Sequence, residues 1–336
     1  MPSIRGTQAV TRYRARLIAN TPFANKPFAS ESFTLTGADI RRLQLQVEGD
    51  YPDFHSGQYL GLLSPDGTPV FFSIASLPSE LPLIELHYAA TPGSPDVARM
   101  DAILAAPVLE FTAPAGSTGL FAVPHAKSVL LAAAATGIAQ ALAIVRSWAA
   151  ERSARQRLAH QQPGSGAQPS DSHATLRLYW GVRTADQLYC ANVLDELANT
   201  HAGFSWVPVV SEQPSSVGGQ MWAGRQGLLV DAVLADDQWR NTDVFFISGG
   251  PAMVQATAQR LREAGVAADR LRSDLLLASN CCSNEMLALT MAVEAVPMRP
   301  RYRRAAATLL RVHGLPGGPR RPSLQRRVAP VPGPPH

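Results

Sequence analysis

Cysteine is scarce in this chain, and an unbroken apolar run is missing. Among 336 residues there are three cysteines, Cys190 and the adjacent pair Cys281-Cys282. That spacing supplies neither a disulfide framework nor the four-cysteine loop of an iron–sulfur cluster. We therefore expect no metal centre, and we expect a reducing, cytoplasmic location. The longest apolar stretch, 128–145, is interrupted by Thr136-Gly137 and Gln140, so no membrane span is predicted.

Acidic residues are missing from both ends. No acidic residue precedes Glu31, and none follows Arg299. Residues 299–336 contain nine arginines. The formal net charge of +4 therefore belongs to the ends, which argues against nucleic-acid binding by the folded part. Residues 1–31 predict a poorly ordered arm or a targeting peptide, and the Pro-, Gly- and Arg-rich residues 279–336 predict a disordered tail.

Short strands recur at turn-marked intervals in residues 32–123. In 43–47, leucine and valine alternate with glutamine, the pattern of a half-buried antiparallel strand. Further strands are predicted at 58–63, 70–74, 83–88 and 108–112, with a hairpin turn at Asp66-Gly67 and one helix at 97–104. Several short strands with a single helix predict a small β-barrel.

The pattern changes after Pro124. Residues 128–135 form a continuous apolar strand, which a tight turn joins to a helix at 138–151. Strands at 175–180 and 243–248 are followed by helices at 186–199 and 252–264, and 204–210 is a further strand. Buried strands alternating with helices predict a doubly wound parallel sheet over residues 124–278, with a flexible insertion at 153–173.

Three of the parallel strands end in residues suited to phosphate. Thr136-Gly137 precedes a helix whose N-terminal amides attract anions. Gly181 to Thr184 and Ser248 to Pro251 offer similar turns, the first with Arg183. Each alone also fits an ordinary strand-to-helix turn, whereas three at one sheet edge predict a nucleotide crevice. The three spaced glycines of the common dinucleotide fingerprint are absent, so an ordinary Rossmann dehydrogenase is not predicted.

In the barrel half, the stretch Val70 to Pro78 is an apolar strand followed by two serines and a proline. It fits a plain barrel strand, and it also fits a strand that presents hydroxyls and amides to a bound group. Two motifs on either side of this stretch favour the second interpretation. Phe54-His-Ser-Gly-Gln-Tyr59 precedes it, and Pro114-Ala-Gly-Ser-Thr118 follows it.

From about Phe33 to about Leu277 these motifs, in this order, resemble the ferredoxin–NADP reductase superfamily. Within it they are most similar to bacterial NAD(P)H–flavin reductases and the CDP-6-deoxyglucoseen reductase type. The matching segments are Phe54 to Tyr59 (Phe-x-Pro-Gly-Gln-Tyr), Phe72 to Ser76 (the end of the flavin motif), Pro114 to Thr118 (the second flavin segment), Ala135 to Ala139 (Gly-Thr-Gly-Ile-Ala), Tyr179 to Arg183 with Asp186 to Tyr189 (the second nucleotide-site motif), Val209 to Ser211, and Ser248 to Met253 (Cys-Gly-Pro-Pro-x-Met).

The resemblance implies a barrel that binds FAD and an α/β domain that binds diffusible NADH or NADPH. Hydride would pass from the nicotinamide to the flavin, and electrons would go on to an iron–sulfur protein, an oxygenase or free flavin. Ser73, beside the flavin ring, and Ser248, near the nicotinamide, are the implied catalytic residues. The implied cofactor-binding residues are Gln58, Tyr59, Phe72, Ser73, Ile74, Ala75, Ser76, His87, Tyr88, Gly116, Ser117, Thr118, Thr136, Gly137, Gly181, Arg183, Ser211, Gly249, Pro251 and Met253.

Several positions depart from the family pattern. Val70 stands where the family has an arginine that contacts the flavin phosphate. Ala135 replaces a glycine, Gln140 a proline and Ser248 a cysteine, and no terminal aromatic follows Leu277. These departures keep open a second hypothesis, a non-catalytic member that binds nucleotide or a protein partner.

A third hypothesis is a plain dehydrogenase for an organic substrate, with His87, His125 and His201 as its candidate acid or base. The preference between the two nicotinamide cofactors is also open. Glu212, after Ser211, disfavours a 2′-phosphate, whereas Arg183 and Arg225 favour one, so that the balance leans slightly to NADH.

Overall fold

Six antiparallel strands make up the first half of the described chain. The structure is a computed structural model that describes residues 11–23, 39–90, 95–161, 175–212, 222 and 224–278. The strands are β1 (Arg12–Pro22), β2 (Asp39–Glu48), β3 (Tyr59–Leu63), β4 (Pro69–Ser73), β5 (Leu83–Ala90) and β6 (Leu109–Thr112), with helix α1 (Pro95–Leu104) between the last two. Their order in the sheet is β4-β3-β6-β1-β2-β5.

The segment after β4 closes this sheet into a barrel. Ile74 forms a bridge with Leu86 of β5, and the Ala75 amide donates to the Glu85 carbonyl at 2.8 Å. The leucines and the valine that alternate in β2 are buried in the barrel core, as their spacing predicts. The antiparallel barrel is therefore confirmed.

One expectation about the N-terminus is wrong. Residues 12–22 are not a loose arm but β1, which pairs with both β2 and β6. Tyr13 and Ala15 are buried, whereas Arg12, Arg14 and Arg16, which alternate with them, are exposed. The basic residues thus occupy the solvent face of a regular strand, and the barrel begins near Arg12 rather than at residue 32.

The second half is a parallel sheet in the order β10-β9-β8-β7-β11-β12. Its strands are β7 (Ser128–Ala134), β8 (Thr175–Val182), β9 (Phe204–Val210), β10 (Arg225–Gln226), β11 (Val244–Ser248) and β12 (Leu271–Arg272). Its helices are α2 (Ile138–Gln161), α3 (Ala191–Thr200), α4 (Leu229–Leu234), α5 (Pro251–Glu263) and α6 (Asp274–Ala278). Helices α2 and α3 pack on one face, and α4 and α5 on the other, which confirms the doubly wound domain.

Element boundaries differ from the sequence expectation in two places. Helix α2 continues to Gln161, so 153–161 is helical rather than a flexible insertion, because its arginines and alanines are good helix formers. Helix α3 starts at Ala191, after a 3₁₀ turn over residues 185–187. Residues 32–38 of the expected barrel domain, the rest of the insertion from residue 162 to 173, and the 279–336 tail lie outside the described residues. Within the described part, no helix combines the length and apolarity that crossing a membrane requires.

Candidate functional site

The nucleotide motifs meet at one edge of the parallel sheet. Strand β7 ends in a 3₁₀ turn over Ala135–Gly137 that leads into α2, and β11 ends at Ser248, followed by Gly249 and Gly250, which caps α5. Strands β8 and β9 end next to Arg183 and Ser211. Because the four strands are parallel, the structure brings these predicted residues together at their carboxyl ends.

The turns after β7 and β11 interlock. The Ser248 hydroxyl donates a hydrogen bond to the Gly137 carbonyl at 3.0 Å. A Cβ added to Gly137 would lie 2.6 Å from the Ser248 carbonyl group, so this approach requires glycine. Ser248, which stands at the family's cysteine position, therefore fixes the backbone of the Ala135–Gly137 turn, called the nucleotide turn below.

The N-terminus of α5 is open. A Cβ at Gly250 would meet nothing within 4 Å, Pro251 occupies the first turn, and no acidic side chain lies there. Gly249 has φ 148°, and a Cβ there would lie 2.4 Å from the Met253 methyl group. A 13-residue helix with free amides and no competing carboxylate suits a phosphate.

Arg183 is not a free cation. Its Nε donates to Glu212 Oε1 at 2.9 Å, and its Nη2 donates to Glu212 Oε2 at 3.1 Å. The Ser211 amide donates to the Val182 carbonyl at 2.9 Å, which holds this edge together. Both charged side chains are exposed at the carboxyl edge of the sheet.

On the barrel side, Phe72 and Ser73 are half-buried at the end of β4. The Phe72 ring lies edge-on to Tyr88, with their centroids 6.2 Å apart. In the described part of the chain the Ser73 hydroxyl makes no hydrogen bond, so it is available to a ligand. Three residues predicted to bind cofactor, Ile74, Ala75 and Ser76, are instead buried in the barrel closure, where the Ser76 Oγ accepts from the Glu85 amide at 3.0 Å.

The segment around Gly116 is organised by a residue that sequence reasoning missed, Asp274. Its Oδ1 accepts the Ser117 amide at 2.9 Å, and a Cβ on Gly116 would lie 2.9 Å from its Oδ2. Gln58 Nε2 donates to the Gly116 carbonyl at 3.0 Å, and the adjacent Tyr59 ring packs on the same glycine. Thr118 is buried beside them. A lone carboxylate in the leucine-rich segment 271–277 was the available signal.

Gln140 joins this cluster from helix α2. Its Nε2 donates to the Gly57 carbonyl at 2.7 Å and to Asp274 Oδ2 at 3.1 Å. Burial raises the pKa of Asp274 and outweighs the hydrogen bonds from Ser117 and Gln140 that lower it. Burial, with the nearby Asp274 charge, also raises the pKa of Tyr59. The cluster therefore connects three parts of the structure: the barrel, helix α2 and helix α6.

Two of the three candidate histidines, His125 and His201, lie away from the carboxyl edge of the sheet. His87 is on the outer face of β5, against Tyr189, whereas its neighbour Tyr88 points into the barrel core. His125 and His201 precede β7 and β9, at the opposite sheet edge, and His201 packs on Trp148. Burial and the Arg152 charge lower the pKa of His201. His125 and His201 are therefore not placed to act as the acid or base of a plain dehydrogenase at this edge.

The two halves meet at the nucleotide turn, because the Ala135–Gly137 turn lies against β5 of the barrel. The barrel residues fit the ring end of a flavin, with an aromatic ring at Phe72 and an available hydroxyl at Ser73. The barrel offers less to the phosphate end of a flavin. Val70 is half-buried and packs against the barrel core, so it supplies no charge there.

Comparison with known proteins agrees with this architecture. The family model of the oxidoreductase NAD-binding domain matches residues 131–259. The reductase subunit of an Amycolatopsis aromatic O-demethylase is 28% identical over 70% of this chain and 64% of its own length. The ferredoxin–NAD(P)+ reductase component of the Pseudomonas putida naphthalene 1,2-dioxygenase system is 27% identical, with the same coverage of 70% and 64%. The chain thus spans 64% of the length of these two relatives.

Solved structures show the same fold. An Amycolatopsis cytochrome P450 reductase is 25% identical, with a TM-score of 0.54 over 80% of this chain and 70% of its own. A Neisseria gonorrhoeae ferredoxin–NADP+ reductase with bound FAD and NADP is 18% identical, with a TM-score of 0.52 over 77% of this chain and 94% of its own. The matched NAD-binding domain, the reductase relatives and the shared fold together support the resemblance to the ferredoxin–NADP reductase superfamily.

Proposed function

We propose that this protein is an NAD(P)H-dependent flavin oxidoreductase that passes hydride from a nicotinamide to FAD and electrons to a separate acceptor. The observation that supports it most is the hydrogen bond from Ser248 to Gly137, made where the nucleotide turn lies against the barrel. The proposal assigns FAD to the barrel, ending at residue 123, and the nicotinamide cofactor to residues 124–278. We also propose a cytoplasmic location, because the chain has only three cysteines.

In this proposal the chain's residues bind and orient rather than react. The open amides of α5 bind a phosphate of the nicotinamide cofactor, and Ser248 fixes the turn beside it. Phe72 and Ser73 hold the ring end of the flavin, with Ser73 donating its free hydroxyl. FAD, when bound, supplies the chemistry of accepting a hydride and releasing electrons singly or as a pair.

The proposed acceptor is an iron–sulfur protein, an oxygenase component or free flavin. One matched relative is the reductase subunit of an aromatic O-demethylase, and another is the reductase component of a dioxygenase system. An Aliivibrio fischeri relative that is 28% identical over 62% of this chain is an NAD(P)H–flavin reductase. Within the described residues no group of three or more metal-ligating side chains occurs, so an iron–sulfur acceptor is proposed as another chain.

The test is an absorption spectrum of the purified chain, followed by NADH and NADPH oxidation with added FAD, FMN or riboflavin. We expect a flavin-dependent rate that the Ser73→Ala and Ser248→Ala variants lower and that an exposed substitution, Glu196→Gln, leaves unchanged. Absence of both bound flavin and turnover in the folded protein would contradict the proposal.

A second candidate is a member that binds nucleotide or a protein partner without catalysis. The observation that favours it is the packing of Val70 against the barrel core, where the family arginine would contact the flavin phosphate. It predicts nucleotide binding without flavin binding, which the same spectrum and a nucleotide titration distinguish.

A further inference from the structure

A buried polar contact joins strand β5 of the barrel to the segment just before α3 in the α/β domain. His87 lies on β5, and the side chains on either side of it, Leu86 and Tyr88, point into the barrel core. His87 itself faces outward, yet its side chain is 0% exposed. What covers it is the α/β domain, through Tyr189 just before α3, together with Phe23 at the end of β1.

The contacts determine which ring nitrogen of His87 carries the hydrogen. Nε2 lies 3.1 Å from Glu85 Oε1, and a carboxylate only accepts, so Nε2 is the donor. In a neutral imidazole Nδ1 is then an acceptor, and the Tyr189 hydroxyl, 3.0 Å away, must donate to it. The interdomain hydrogen bond therefore runs from Tyr189 to a neutral His87.

The charged groups around His87 act in opposite directions on a second proton, because Glu85 favours it and Arg42 and Arg146 disfavour it. Glu85 is paired with Arg42 at 3.4 Å as well as with His87. Burial lowers the pKa of His87 below its ordinary value, and the Arg42 and Arg146 charges add to this, against the raising effect of Glu85. On the α/β side the pKa of Tyr189 is raised by burial and by the neighbouring Cys190 and Glu85.

Protonation of His87 would reverse this arrangement. Both ring nitrogens would then donate, and the Tyr189 hydroxyl would lose its acceptor. The other rings against Tyr189 are Phe23 and Trp180, with centroids 4.4 and 5.4 Å away, which offer no comparable acceptor. A buried hydroxyl without a partner is unfavourable, so the contact between the domains weakens.

We propose that His87 and Tyr189 are a positioning pair: their hydrogen bond fixes the barrel against the α/β domain while His87 is neutral, and the contact opens on acidification. The catalytic consequence rests on the proposed function, because hydride transfer needs the two cofactors held at a fixed distance. The domain contact itself does not depend on it.

Three variants separate the roles of the two side chains. Tyr189→Phe removes only the hydroxyl. His87→Gln keeps one donor for Glu85 and one acceptor for Tyr189 but does not titrate near neutral pH. His87→Leu removes both bonds, and Glu196→Gln, an exposed substitution on α3, is the control.

The first measurement is hydrogen–deuterium exchange, corrected for intrinsic rates, in peptides covering 83–90 and 188–194 between pH 5 and 8, about one and a half units on either side of an ordinary histidine pKa. In the wild type we expect protection to decrease as the pH drops through about 6.5. When the contact opens, His87 becomes exposed, and an exposed histidine takes up a proton in this pH range. His87→Gln should keep its protection there, and Tyr189→Phe and His87→Leu should have reduced protection already at neutral pH. Glu196→Gln should leave the pH midpoint unchanged.

The second measurement separates the effect of a variant on kcat from its effect on the KM for the nicotinamide cofactor. Tyr189→Phe should lower kcat roughly ten- to a hundredfold, as expected for misplaced reactants, and leave the KM for the nicotinamide cofactor unchanged. A folded Tyr189→Phe variant with wild-type protection and wild-type kcat overturns the positioning role. Acid-induced loss of protection in His87→Gln overturns the assignment of the titration to His87. If the wild type shows no turnover, the proposed function fails, but the exchange data still decide the contact.

Discussion

Glu212 holds the guanidinium of Arg183 through two hydrogen bonds, Nε to Oε1 at 2.9 Å and Nη2 to Oε2 at 3.1 Å, at the edge where the parallel strands end. Both side chains are exposed, at 68% for arginine and 54% for glutamate. Arg183, the cation that could bind a 2′-phosphate, is therefore paired with Glu212, and the carboxylate of Glu212 would repel such a phosphate.

We expect the wild-type protein to use NADH in preference to NADPH, and Glu212→Gln to reduce that preference about two- to fivefold, the range for exposed charge pairs. The ratio of kcat/KM for the two cofactors measures this. Calorimetric binding of 2′,5′-ADP against 5′-AMP checks it without turnover. Glu196→Gln, an exposed substitution on α3, serves as the control. A wild type that strongly prefers NADPH contradicts the prediction.

Ala135, in the nucleotide turn, has φ 49° and is the one residue other than glycine with a positive φ among those described. The left-handed conformation costs an L-residue with a Cβ about 1–2 kcal/mol. Ala135→Gly should therefore be more stable than the matched variant Ala134→Gly by about that amount, since both glycines add the same entropy to the unfolded chain. Urea unfolding of the two variants measures the difference, and equal stabilities would contradict it.

Local patterns were enough to predict most of the fold. The alternation in β2 and the apolar runs of β7 and β9 are each encoded within a single segment. The same rule failed for β1, where three arginines on the exposed face made a barrel strand look like a basic arm. Pattern reasoning also missed β10 and β12, which have two residues each and therefore show no periodicity.

The site was predictable only in part, because its supporting contacts join distant residues. Asp274 reaches Ser117 across 157 residues, and His87 reaches Tyr189 across 102. No spacing rule relates such pairs, since they depend on how the two halves pack. Motif matching brought the nucleotide turns together correctly. It could not show that Ser76 is used in closing the barrel or that Arg183 is paired.

Val70 allows a direct test of flavin affinity. Val70→Arg should tighten FAD binding about ten- to a hundredfold, because a charge-assisted contact to phosphate contributes about 1.5–3 kcal/mol. Val70→Gln is the matched control, since it adds a long polar side chain without charge and loses the same core packing. Fluorescence titration with FAD gives the Kd values. A folded Val70→Arg variant with unchanged affinity favours the non-catalytic hypothesis.

Asp274 makes stability depend on pH in a direction opposite to that of an ion-paired carboxylate. Burial raises its pKa, so between about 3.9, the ordinary value, and the raised folded value the folded state binds more protons than the unfolded state. Its contribution is therefore fully present at low pH and is lost as pH rises through the folded pKa.

Asp274→Asn does not titrate and should lack this decline. The free energy of unfolding of the wild type, minus that of Asp274→Asn, should fall with rising pH, by about 1.4 kcal/mol per pH unit between the unfolded and the folded pKa, and level off above the folded pKa. Urea unfolding at a series of pH values measures it, with the exposed Asp269→Asn as the control that shows no such slope. A difference that grows with pH would mean that Ser117 and Gln140 stabilise the carboxylate more than burial penalises it, and that the buried cluster favours the charged form.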